Sequence, residues 1–147
     1  MMKMLFRLME RRDHFVFNAK RRAELARETG PEAARLFRYL QRAGYVAQIE
    51  GDRFEMTDLA RINLLSEIVH SQKPDGKLRI VIFDVPEKLK RNRNFFRRHL
   101  VELGFKMRQK SVWVSPLPCE DLVRLVVRYH GLGKFVELVV GKVGLIR

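Results

Sequence analysis

The sequence predicts an α+β protein built from two small domains, and three observations lead there. A proline-glycine break falls near the middle of the chain, helical and hairpin patterns fill the first half, and the second half alternates in the order βαββαβ. The break is "SQKPDGK", Ser71 to Lys77, where Pro74 denies a helix its continuation and Asp75-Gly76 is a turn dipeptide. It sets the expected boundaries at residues 1–74 and 75–147.

The first half reads as three helices, a hairpin and a further helix. "KRRAELARETG" places Leu25 and Ala26 on one face and Gly30 where a helix should stop, and Pro31 suits the start of the next helix. In "PEAARLFRYLQRAGYV", Ala33 or Ala34, Phe37 and Leu40 form an apolar stripe, which directs Glu32, Arg35, Arg38, Tyr39 and Arg42 outward and makes Arg35, Arg38 and Arg42 one cationic face. "YVAQIEGDRFEMT" alternates around Gly51-Asp52, the pattern of a tight hairpin, with Phe54 and Met56 on one face and Arg53 beside the tip. Thr57 is suited to cap a helix over "DLARINLLSEIVH".

In the second half, strands are expected over 78–84, 105–109, 111–115 and 134–140, with helices over about 87–103 and 120–130. Leu89, Phe96, Leu100 and Leu103 share one stripe of the first of these helices, and Gly104 ends it. In "LRIVIFDVPEK", Leu78, Ile80 and Ile82 are expected beneath the helices. Val81 and Phe83 then lie on the opposite face, left open for a dimer interface. Trp113 is expected in the core, and Cys119 in a buried or capping position.

Composition limits the function. A hydrophobic content of 46% in 147 residues supports a core, and no window approaches a membrane-spanning length of apolar residues, so a soluble, cytoplasmic protein is expected. One cysteine allows no internal disulfide, and His14, His70, His99 and His130 lie too far apart for a metal-ligand motif. Thirty Lys and Arg against 17 Asp and Glu give +13, which favours a polyanionic partner, nucleic acid first. Residues 1–74 carry 14 basic and 10 acidic side chains (14 − 10 = +4), and residues 75–147 carry 16 and 7 (16 − 7 = +9).

Two resemblances sharpen this. "AELARETG", "FRYLQRAGYV" and "GDRFEMT" resemble the winged helix-turn-helix DNA-binding family over about the first 70 residues. That resemblance implies that Arg35, Arg38, Tyr39 and Arg42 read or position the major groove of double-stranded DNA, with Arg53 working from the wing. "VIFDVPE", "RNFFRRHLVELGF", "QKSVWVSPLPCED" and "FVELVVG" resemble the ferredoxin-like domain shared by two groups. One is the second family of CRISPR-associated proteins, and the other is the central domain of PaaX, the phenylacetic-acid-degradation repressors. CRISPR-associated members usually consist of that domain alone, so the two resemblances together imply the repressor branch: a homodimeric, DNA-binding regulator that needs no cofactor. Arg93 and Arg97 match the repressor-like helix pattern and are implied to touch phosphate or brace the domains. The competing implication is a metal-dependent CRISPR-associated endonuclease or spacer-integration subunit. In that reading Asp84, at the end of the first strand, holds a divalent ion, Mg or Mn. Pro86 and Glu87 fit the repressor type better, and a strand-ending aspartate is also a common turn former.

Overall fold

The computed structural model describes residues 14–142 and 144. The chain forms two compact units that divide between Leu64 and Leu65, ahead of the break expected at Pro74. An opening helix ahead of Lys20 would fall largely outside the described residues.

The first unit runs β1 (His14–Val16), α1 (Ala19–Thr29), α2 (Ala33–Arg42), β2 (Val46–Glu50), β3 (Arg53–Met56) and α3 (Asp58–Asn63). Asn18 caps α1 by accepting from the Arg21 N–H at 2.9 Å. Gly30 closes it with φ +97°, a left-handed conformation that suits glycine. The two-residue Gly51-Asp52 loop joins β2 to β3, and β1, a strand the sequence pattern missed, pairs with the other edge of β3 to give the order β1-β3-β2. The core is aromatic. Phe37 of α2 stacks on Phe17 at 3.8 Å between centroids and meets Phe54 of β3 edge-on at 4.9 Å. Pairs of this kind add about 0.5–1.5 kcal/mol each beyond their burial, so they fix α2 against the sheet. Thr57 caps α3 as expected, accepting from the Ala60 N–H at 3.3 Å, and its hydroxyl donates to the Gly44 carbonyl at 2.6 Å.

The single helix expected over "DLARINLLSEIVH" is two. At Leu64 the backbone leaves helical geometry and its N–H donates to Arg61 O, a bond three residues back that tightens and ends the turn. Leu64 and Leu65 are both fully buried, one closing the first unit and the other opening the second.

The second unit contains α4 (Leu65–His70), β4 (Leu78–Phe83), a 3₁₀ turn at Glu87–Leu89, α5 (Lys90–Glu102), β5 (Lys106–Gln109), β6 (Val112–Ser115), α6 (Glu120–Tyr129) and β7 (Val136–Gly141). From β4 onward the order is βαββαβ, and the four antiparallel strands lie as β5-β6-β4-β7. Phe96, Leu100 and Leu103 form the buried side of α5, and Trp113 and Cys119 are buried as expected.

The two faces of β4 are the reverse of the expectation. Val81 and Phe83 are 0% and 2% exposed, and the Phe83 ring packs edge-on against Phe96 of α5 at 5.4 Å, so neither is available to a dimer interface. Arg79 explains the reversal. It shares a face with Val81 and Phe83, and a charge at that position suggests solvent; instead it is 3% exposed and fully partnered. Its guanidinium donates to Asp75 Oδ2 at 2.7 Å and, through Nε, to Glu120 Oε1 at 2.7 Å. Charge pairing and hydrogen bonding offset the desolvation that would otherwise expel it. The opposite face carries Ile80, Ile82, Val112, Val114 and, by register, Val139 of β7; Ile82 and Val139 are 39% and 44% exposed.

Candidate nucleic-acid interface

In the first unit, burial of Ala33, Phe37 and Leu40 turns the other side of α2 to solvent, and Arg35, Arg38, Tyr39 and Arg42 are not buried with them. Arg35 lies 3.6 Å from Glu32, with both side chains at least 70% exposed, a pairing too solvated to hold the arginine back from another partner. Arg38 also borders a shallow cleft of about 260 Å³ formed by α1, α2 and the β2–β3 hairpin, lined among others by Arg22, Gln41 and Gln48. Arg22, which the sequence pattern did not single out, rests its guanidinium 5.8 Å from the Phe17 ring centroid. Its signal was the "KRR" at the start of α1. Arg53 is exposed at the first position of β3, next to the tip, with the carboxylates of Glu50 and Asp52 as exposed neighbours in sequence.

In the second unit the arginines of α5 divide. Arg93 and Arg97 are half-buried: Arg93 lies 3.5 Å from Glu87, Arg97 rests over the Phe83 ring at 5.7 Å, and the Nε of each is buried without a hydrogen-bond partner among the described residues. They brace the helix more than they reach outward. Arg91 and Arg98 are the exposed pair.

Asp84 follows β4 and is exposed; its N–H donates to Phe135 O at 2.9 Å, and its carboxylate makes no hydrogen bond among the described residues. The Asp84 N–H thus carries the pairing with the segment before β7 one residue past β4, and the carboxylate takes no hydrogen-bonded part in the turn that follows. Among the described residues, no group of three or more His, Cys, Asp or Glu side chains is placed to hold a metal ion. A lone carboxylate from one chain does not meet the donor set of a protein-held magnesium site. Cys119 is 1% exposed, and burial, aided by the Glu120 charge, pushes its thiol up to about 11, so it is not a poised nucleophile.

These features define a mixed helix-and-sheet protein of two compact units, each with exposed arginines on its helices. Residues 71–146 match the PaaX protein central Cas2-like domain, and the chain belongs to that family. Comparisons with curated proteins and with solved structures each return no match. Among the described residues, no helix is long and apolar enough to cross a membrane.

Proposed function

We propose that the chain is a cytoplasmic, homodimeric transcriptional regulator of the PaaX type that binds double-stranded DNA. In this reading the first unit is a winged helix, with α2 as the reading helix and the β2–β3 hairpin as the wing. The second is a ferredoxin-like domain that dimerises. The observation that carries the reading is the two-sidedness of α2: Phe37 and Leu40 anchor one side, while Arg35, Arg38 and Arg42 line the other at spacings of three and four residues. An α-helix about 10–12 Å across fits the B-DNA major groove, where arginine contacts guanine edges or phosphates. The sheet order β1-β3-β2, with two helices between β1 and the β2–β3 hairpin, supports the winged-helix assignment, and the order β5-β6-β4-β7 with βαββαβ connections supports the ferredoxin-like one. The open face around Ile80 and Ile82 replaces Val81 and Phe83 as the proposed dimer surface.

The double substitution Arg35→Ala with Arg42→Ala tests this in a duplex-binding titration. Removing a base-edge hydrogen-bond pair should cost about 1–3 kcal/mol of discrimination, and unchanged binding would remove α2 from its assigned role. A second reading rests on the "Cas2-like" description of the matched domain together with the exposed carboxylate of Asp84: a nuclease in which two protomers supply the metal donors. Loss of metal-dependent cleavage in Asp84→Asn, with binding retained, would favour it.

A further inference from the structure

On α5, Arg91, Asn94, Phe95 and Arg98 recur at the three- and four-residue spacing of one helical face, and all four are exposed. Phe95 organises them. Its ring lies 5.8 Å from the Arg91 guanidinium carbon and 5.1 Å from that of Arg98, so one aromatic ring gathers two cations from turns that flank it. The ring is itself backed: it stacks on His130, which follows α6, at 5.9 Å with an interplanar angle of 4°. His130 is held by stacking on His99 at 5.1 Å, by edge-on contact with Tyr129 at 5.2 Å, and by a 2.9 Å hydrogen bond from the Asn92 amide to its carbonyl. Burial, reinforced by His99, lowers the His130 pKa, which keeps the imidazole neutral beneath the ring near pH 7.

Neither Arg91 nor Arg98 has a carboxylate partner among the described residues, in contrast to Arg93, which Glu87 engages, and Arg79, which is saturated. A shallow cleft of about 460 Å³ is lined by these two arginines with Lys90, Asn94 and Phe95, giving cations and an amide but no acid. Stacked guanidiniums retain their N–H edges for an incoming acceptor and lose less freedom on binding than free arginines do. Cations and an amide without an acid suit phosphate oxygens.

We propose that the Arg91–Phe95–Arg98 surface of α5 is a second contact site, for the phosphate backbone of the DNA that α2 reads. The inference rests on the DNA-binding reading and adds a separate, sequence-independent contribution from the second unit. The test is the salt dependence of duplex binding by the full chain, comparing wild type, Arg91→Ala with Arg98→Ala, Phe95→Leu, and Arg35→Ala with Arg42→Ala. The α5 double variant should bind cognate and unrelated duplexes more weakly by a similar factor. The slope of log affinity against log salt should fall by about 0.9 for each phosphate that the variant no longer neutralises. Phe95→Leu, which keeps both charges but removes the aromatic ring, should weaken binding less than the double variant does. If wild type binds duplex and the α5 double variant keeps its affinity and slope, the α5 site is overturned while the α2 reading stands. If the α5 variant weakens and the α2 variant does not, the α2 reading fails and the α5 site survives. No binding by wild type overturns both.

Discussion

Arg79 shows how a single residue misdirects pattern reading and then stabilises what it concealed. Its alternation with Leu78, Ile80 and Ile82 is that of a strand with arginine outward, yet the guanidinium is buried between Asp75 and Glu120. Hydrogen bonding from Arg79 holds the Asp75 carboxyl well below its usual range. At Glu120, burial pushes the pKa up, but the hydrogen bond and charge of Arg79 outweigh it and the net displacement is downward. Groups whose pKa is depressed by folding add stability at pH above their unfolded values, and that contribution is lost as pH falls through the folded ones. Denaturant midpoints should therefore decline as pH drops below about 4, and Asp75→Asn should show a shallower decline over the same window. An equal acid response in both proteins would mean that the pairing adds nothing. Arg79→Met should lower stability at neutral pH, since it leaves both carboxylates without their partner.

At the scale of elements, the strands and helices from β4 onward were legible to within a few residues, because Leu89, Phe96, Leu100 and Leu103 follow helical spacing and "VIF" and "VWV" follow strand chemistry, whereas α4 was read as the continuation of α3. Gly30, Gly51 and Gly104 marked their turns for the same local reason, and all three have positive φ. The parity of β4 was not legible, since which face a strand buries depends on the partners of Arg79, and one of them is 41 residues away. β1 was missed because three residues carry too little pattern, and its pairing partner β3 lies far along the chain. Of the candidate site, the outward set on α2 was readable from Phe37 and Leu40, whereas the choice between Arg93 or Arg97 and Arg91 or Arg98 turns on the Phe83, Glu87 and Phe95 contacts. The corrected faces of β4 separate two substitutions one residue apart. Phe83→Ala should destabilise the unit by about 3–5 kcal/mol, as truncation of a core phenylalanine does. Ile82→Glu should leave stability nearly intact and shift the protein to monomer in sedimentation. A dimer that survives Ile82→Glu would remove the open sheet face as the interface.

For the whole molecule, charge and family lead to one central claim, that recognition of DNA is its work. The excess is +4 over residues 1–74 and +9 over residues 75–147, so both halves add to attraction for a polyanion. The exposed arginines of α2 and α5 give that charge defined positions in each unit. Such binding should weaken steeply as salt rises, because each neutralised phosphate releases condensed counterions. The most direct measurement is incubation of the purified chain with labelled duplex DNA and RNA, with and without magnesium or manganese, beside Asp84→Asn, scored for both retention and cleavage. Wild type and Asp84→Asn should retain duplex DNA alike, in preference to RNA, and neither should cut with either metal. Cleavage by wild type that needs the metal and disappears in Asp84→Asn, or failure of both proteins to hold duplex DNA, would contradict the claim.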